Sequence, residues 1–389
     1  MDKNSKINRH VFLDNLRTFI IFLVIVFHSG WVYEKSGFLS SIWIVDDPFK
    51  NNLAGIVNII LDIFMMPTIF FISGYLTSLS LKTKKRWDYI KYRFNRLMLP
   101  WILAVLILIP LYKVIFLYSR DLAPQNLMSY FHFNGEILMN QGWLWFLPVL
   151  FLFDLIYCIL SKSHPILLKI NLKQAVLAIF LLGVMNSFCF GFFNHSGWVK
   201  TILLDFQKER LFIYFLVFLL GSFCFHNNIF SKERGSRKCY YLINFTLWIP
   251  INVYMLFLLN LIFNPGKFII SHVADTLLLW FSFHLSLLGM LYILINTFRF
   301  YLNRKITIID WLNKCSYGTY IIHFIVMGAI AVVLSKAPLS SLAKYGILIV
   351  STYMVSNLII FLYIETGRRG WQNLIGLSVN NGTHSLIKQ

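Results

Sequence analysis

The chain predicts an all-α, polytopic integral membrane protein of about ten transmembrane helices with both termini in the cytoplasm. Three observations carry that expectation. Of its 389 residues, 58% are hydrophobic and 13% charged, a balance too apolar for a water-soluble domain. Runs of about 20 apolar residues, long enough to cross a hydrocarbon core, recur along nearly the whole chain. With a cytoplasmic N-terminus, 25 of the 35 Lys and Arg fall on inner segments and inner span ends, which is the bias that orients membrane helices.

The first span covers 11–33. From Leu16 to His28 it is almost wholly apolar, with ionisable side chains at Arg17 and His28, which have ten residues between them. An ionisable side chain inside a span is costly and usually has a role, so a basic group at the entrance and an imidazole roughly 16 Å further along suggest a site spread across the bilayer. A snorkelling Arg and a His hydrogen-bonded within the bundle explain the spacing equally well. No cleavable signal peptide is expected, because the span holds both residues and no small-residue cleavage site follows.

The second span, 53–79, contains Pro67 and Ser73-Gly74, which permit a kink and close helix approach. Asp62 lies about two turns in from the outer face, a depth comparable to that of His28, and is expected to orient that imidazole. Seven basic residues follow between Lys82 and Arg96. Most serve topology. Arg93 and Arg96 stand one helical turn apart at the entrance of the third span, 97–118, where two forks on one face would suit a phosphorylated cytoplasmic ligand.

The fourth span, 143–161, opens with Gly142-Trp143-Leu-Trp145-Phe146-Leu-Pro148, whose tryptophans read individually as belt anchors. Spans at 174–193, 211–230, 240–263 and 272–296 follow, with Gln207-Lys-Glu209-Arg210, Tyr214 and Gly221 around the sixth. The ninth, 317–335, begins Ser316-Tyr317-Gly318-Thr-Tyr320-Ile-Ile-His323, and the tenth covers 344–366. His284 and His323 serve structure as readily as function, and neither is expected to be essential. The intervening loops are too short for a folded domain. Residues 1–370 therefore form one membrane-embedded domain, and 371–389 a loose polar cytoplasmic tail.

Charge and cysteine usage narrow the classes further. The net charge of +19 is absorbed by topology, leaving no basic domain for nucleic acid. Cys158, Cys189, Cys224, Cys239 and Cys315 are isolated, without redox or metal-ligand spacing, so no metal is expected. No inverted repeat of the transporter kind is visible.

In this order across ten spans, the residues resemble acyltransferase family 3, and within it the branch that includes the periplasmic glucan succinyl transfer proteins. The resemblance rests on Leu13-Asp14-Asn15-Leu16-Arg17 with His28, on Met66-Pro67 through Phe70-Phe71-Ile-Ser73-Gly74-Tyr75, and on Arg93-x-x-Arg96 with Pro100. It continues in Leu144-Trp145-Phe146-Leu147 and in Ser316 through His323.

The family implies transfer of an acyl group, usually acetyl, from cytoplasmic acyl-CoA (acetyl-CoA or succinyl-CoA) to a hydroxyl of an envelope glycan or polysaccharide. The implied setting is a multi-pass protein of the inner or plasma membrane surrounded by lipid, with room for a homo-oligomer or a partner from envelope-glycan assembly. His28 would be the catalytic histidine, Arg17 its companion together with Asp14 of the same motif, and Arg93 and Arg96 the pair tied to the donor. Many relatives carry an acid where Pro67 stands here, so Asp62 is not carried over. With no esterase-like domain appended, transfer is expected to finish in the membrane part or on a partner.

The chemistry agrees. A sugar hydroxyl is a poor nucleophile at neutral pH, and a placed His taking its proton contributes roughly 10²–10⁴-fold. Direct transfer, an acyl-His and an acyl-Ser at Ser29 all remain open. A transporter or flippase of an amphipathic precursor, and a non-catalytic scaffold, are the competing classes.

Overall fold

Residues 10–35, 42–126, 141–161, 170–232 and 235–383 are described by a computed structural model, with side chains to 367 apart from Lys232. Among the described residues ten helices are long and apolar enough to cross a membrane. Eight are single elements: α1 (Val11–Tyr33), α2 (Asn52–Leu81), α5 (Phe146–Leu160), α6 (Leu172–Phe192), α7 (Lys208–His226), α11 (His272–Tyr301), α12 (Thr307–Ser335) and α13 (Ser341–Thr383). The other two are compound. α3 (Arg86–Arg93) runs through a π turn at Phe94–Met98 into α4 (Leu99–Tyr118), and α9 (Arg237–Thr246) continues as α10 (Trp248–Phe263). A short helix α8 (Ile229–Lys232) and the 3₁₀ turn Gly142–Trp145 complete the helical elements among the described residues.

The third span thus begins earlier than the apolar run suggests, because amphipathic α3 is continuous with it. The polar stretch 194–210, one of the intervening loops, contains an antiparallel ribbon of β1 (Trp198–Lys200) and β2 (Asp205–Gln207), with Val199 opposite Phe206. The polar tail 371–389 lies outside the residues whose side chains are described.

In lipid the usual polarity is reversed: apolar side chains face outward and polar groups are matched inside. On α13 the exposed stripe is Val350, Met354, Leu358 and Leu362, spaced at one turn, while Thr352, Ser356 and Asn357 are buried. Asn357 Oδ1 accepts from Thr319 Oγ1 of α12 at 3.1 Å.

Two close approaches set the packing. A Cβ on Gly74 of α2 would overlap the Phe218 backbone carbonyl of α7, and one on Gly221 of α7 would overlap the Phe71 carbonyl of α2. The two backbones touch because both residues lack side chains, as at small-residue membrane interfaces. On the other face of α2, a Cβ on Gly30 of α1 would overlap the Asn58 amide. Oriented as its partners require, that amide donates to Phe27 O at 3.0 Å and accepts from Trp31 N at 3.3 Å, gripping the turn of α1 that carries His28.

Gly221→Val should therefore destabilise the bundle by roughly 1–3 kcal/mol or more, read as a lower thermal midpoint in detergent. Gly346→Ala, whose added methyl meets open space, should leave the midpoint within experimental scatter.

Candidate active site

His28 is held near the C-terminal end of α1 and is half-buried; His323, one of the polar residues inside α12, is fully buried. His28 Nδ1 lies 2.8 Å from His323 Nε2, and the rings stack with centroids 5.1 Å apart and planes inclined by 14°. His323 Nδ1 is in turn 2.7 Å from the Tyr320 carbonyl oxygen.

This arrangement assigns the protons. A carbonyl oxygen only accepts, so His323 Nδ1 must carry the hydrogen. In the neutral ring Nε2 of His323 is then an acceptor, and His28 Nδ1–H must donate to it. That leaves the lone pair on His28 Nε2, which makes no hydrogen bond among the described residues. A chain of two bonds beginning at a backbone carbonyl has prepared one nitrogen as a base.

The neighbourhood fixes α12 in place. Tyr320 OH donates to Trp143 O at 2.6 Å, and Trp143 Nε1 donates to Ile321 O at 2.9 Å. Trp143 also stacks on Phe324 at 4.5 Å with planes 7° apart. The tryptophan expected as a belt anchor is thus a clamp on the helix turn that carries His323. Gly142 precedes it with φ +55°, a left-handed backbone that favours glycine. The rings of Phe27, Trp43 and Phe324 complete the walls around His28.

Asp62 does not reach His28. Its carboxylate pairs with Arg210 Nη1 at 2.6 Å, and Arg210 Nη2 donates to Tyr254 OH at 3.2 Å. Depth along an axis matched the two residues, but the buried Arg on α7 claims the acid. Ser29 is completely buried, and adjacent helical positions do not face each other, so it is poorly placed to carry an acyl group from His28.

Arg17 and Asp14 sit at the N-terminal end of α1. They pair at 3.6 Å, and Arg17 Nη2 donates to Asn313 O at 3.4 Å. Asn15 Nδ2 donates to Leu302 O at 2.8 Å, and its Oδ1 accepts from Asn313 Nδ2 at 3.0 Å. The structure does not bring Arg17 or Asp14 to His28; it places them where the α11–α12 connection closes on α1.

Arg93 and Arg96 also diverge. The π turn beginning at Phe94 is wider than an α turn and swings the two apart. Arg93 Nε meets Asp154 Oδ2 at 2.5 Å, and Asp154 Oδ1 accepts from Thr77 Oγ1 and Tyr89 OH, each at 2.8 Å. Arg93 Nη2 has no acceptor among the described residues. Arg96 is exposed, hydrogen-bonded to Tyr92 OH, and its carbonyl accepts from Tyr317 OH at 2.6 Å. The shared face expected from a regular helix is replaced by one anchored and one outward guanidinium.

Nearby, at the C-terminal ends of α2, α5 and α7, a cavity of about 180 Å³ is lined by Ser78, Leu81, Lys82, Arg86, Tyr157, Ser161 and His226. Among the described residues no three His, Cys, Asp or Glu side chains converge as a metal site would need.

Sequence reasoning missed Asp154 and the pairing of His323. An acid in the apolar run Phe151-Leu-Phe-Asp154-Leu-Ile is itself the signal of a buried partner. The pairing of His323 had no local signal.

The acyltransferase-domain model of family 3 matches residues 10–361. The chain belongs to that family and is a membrane acyltransferase. No curated protein and no solved structure matches it.

Asp154→Asn should strand the Arg93 charge and cost roughly 3–5 kcal/mol of stability, measured as a fall in the detergent unfolding midpoint. Asp46→Asn removes a partner of Lys50 whose side chain is 40% exposed, and should cost no more than about 1 kcal/mol. Equal losses would show that Asp154 does not carry the Arg93 charge.

Proposed function

We propose that the protein transfers an acetyl group from cytoplasmic acetyl-CoA to a hydroxyl of an envelope glycan, at the inner or plasma membrane, with His28 Nε2 as the general base. The observation that carries this reading is the hydrogen-bonded chain from the Tyr320 carbonyl through His323 to His28. It leaves a lone pair on a half-buried imidazole near the outer end of a span.

The acceptor hydroxyl loses its proton to His28 Nε2 as its oxygen attacks the thioester carbonyl. The positive charge gained by His28 is shared with His323 through the Nδ1–H bond. Collapse of the tetrahedral intermediate breaks the C–S bond, and the proton passes from His28 to the departing thiolate. Direct transfer is favoured over an acyl-Ser because Ser29 is buried away from the base.

Two further features support the reading. Arg96 stands exposed, so its guanidinium suits the anionic end of a coenzyme A while its slender arm runs toward His28. The rings that touch His28 carry no charge, which suits a neutral acetyl better than a succinyl carboxylate.

The test is transfer of labelled acetyl-CoA and succinyl-CoA to envelope glycan by protein in nanodiscs. Wild type should use acetyl-CoA, and His28→Ala should fall below about a hundredth of its rate. His323→Phe should lower kcat roughly ten- to a hundredfold, the equivalent of one lost buried hydrogen bond. His323→Gln, which can still accept from His28, should recover part of that loss. Transfer by His28→Ala near the wild-type rate would overturn the assignment.

A further inference from the structure

Trp43 lies outside any span, on the segment between α1 and α2, yet its ring is packed into the outer half of the bundle and only 6% exposed. It contacts His28 with ring centroids 5.8 Å apart, Phe324 at 5.1 Å and Trp31 at 5.9 Å. Its indole Nε1–H has no acceptor among the described residues. An indole nitrogen can only donate, and a buried donor without a partner carries a desolvation cost that calls for an explanation. Trp101 and Trp280 are also buried with unpartnered Nε1 atoms. Of the three, only Trp43 packs on the imidazole whose Nε2 is uncommitted.

The segment that carries Trp43 is fixed on several sides. Three successive carbonyls are bound from the end of α4: Ile42 O accepts from Tyr112 OH, Trp43 O from Arg120 Nη2 at 2.9 Å, and Ile44 O from Ser119 Oγ at 3.3 Å. Four residues on, Asp47 pairs with Lys344 of α13 at 3.0 Å, both side chains fully buried. Ile44 seats against α12 where a Cβ on Gly328 would overlap it. Such anchoring is more than a surface loop needs, and it is what a donor aimed at developing charge needs, since a preorganised dipole requires no rearrangement at the moment of reaction.

We propose that Trp43 Nε1–H hydrogen-bonds the acyl carbonyl oxygen of the donor as that oxygen becomes an oxyanion. The inference rests on the acyl-transfer reading above and adds a second group to it. As the acceptor oxygen bonds to the carbonyl carbon and its proton moves to His28 Nε2, the C=O π pair shifts onto oxygen, where the indole N–H stabilises it. When the C–S bond breaks the pair returns, the indole bond relaxes, and the thiolate takes the proton back from His28. No other reactant is required.

The experiment compares wild type, Trp43→Phe and a protein carrying benzothienylalanine at position 43, which keeps the bicyclic outline but has sulfur in place of N–H. Steady-state transfer from acetyl-CoA and thermal unfolding are measured in the same nanodiscs. Both replacements should lower kcat on the order of 10²-fold, the usual loss for one oxyanion donor, with the donor KM changed less than about threefold. The benzothienyl protein should unfold at the wild-type temperature, separating the lost hydrogen bond from lost packing. A benzothienyl protein with wild-type kcat overturns the role of Trp43 while leaving the acyl-transfer reading intact. Absence of acyl transfer in wild type overturns both.

Discussion

One backbone oxygen sets the proton positions of the paired imidazoles. The Tyr320 carbonyl, 2.7 Å from His323 Nδ1, fixes where the hydrogen sits on that ring, and the 2.8 Å contact between the imidazoles passes the constraint to His28. A carboxylate in the position of His323 would hold His28 in the same tautomer and favour its protonated form more strongly. A neutral imidazole orients the base without adding a buried negative charge to the membrane interior, where an unpaired ion costs far more than a hydrogen bond. Much of the surrounding architecture serves this pair: Trp143 clamps the α12 turn of His323, and Asn58 bridges the α1 turn of His28.

Buried charge is handled consistently elsewhere. Arg93 with Asp154, Arg210 with Asp62 and Lys344 with Asp47 are ion pairs between different helices or between a helix and a loop. Such pairs add little net stability over apolar packing, but breaking one is expensive, so each specifies how its elements sit together. The pair at Asp47 bears directly on the site, because it pins the connecting segment that brings Trp43 onto His28. The remote helix α13 thereby contributes to geometry at the C-terminal end of α1.

The spans were legible in the sequence because hydrophobic length reports on the bilayer itself. The positions of Arg17 and His28 along α1 were legible for the same reason. Rotation and neighbour choice were not. Asp62 has the depth of His28 and lies on a helix that packs against α1, yet it turns to Arg210, while the true partner of His28 is 295 residues away. Arg93 and Arg96 misled because their spacing presumes a regular helix, and the π turn at Phe94 leaves no mark in the apolar pattern. The ribbon β1–β2 escaped because two three-residue strands are too short to show an alternation. Trp43 carried no motif; its importance follows from where the loop returns.

The claim on which the account stands is that His28 presents a bare Nε2 because His323 holds its Nδ1–H. It is tested most directly by nitrogen NMR of ¹⁵N-histidine-labelled protein in lipid, with His28→Gln and His323→Gln samples to assign the two signals. The account requires both rings to be neutral at pH 7, each with hydrogen on Nδ1 and none on Nε2, and requires the His28 pattern to change when His323 is replaced. A hydrogen on His28 Nε2, or a His28 signal indifferent to replacement of His323, would contradict it.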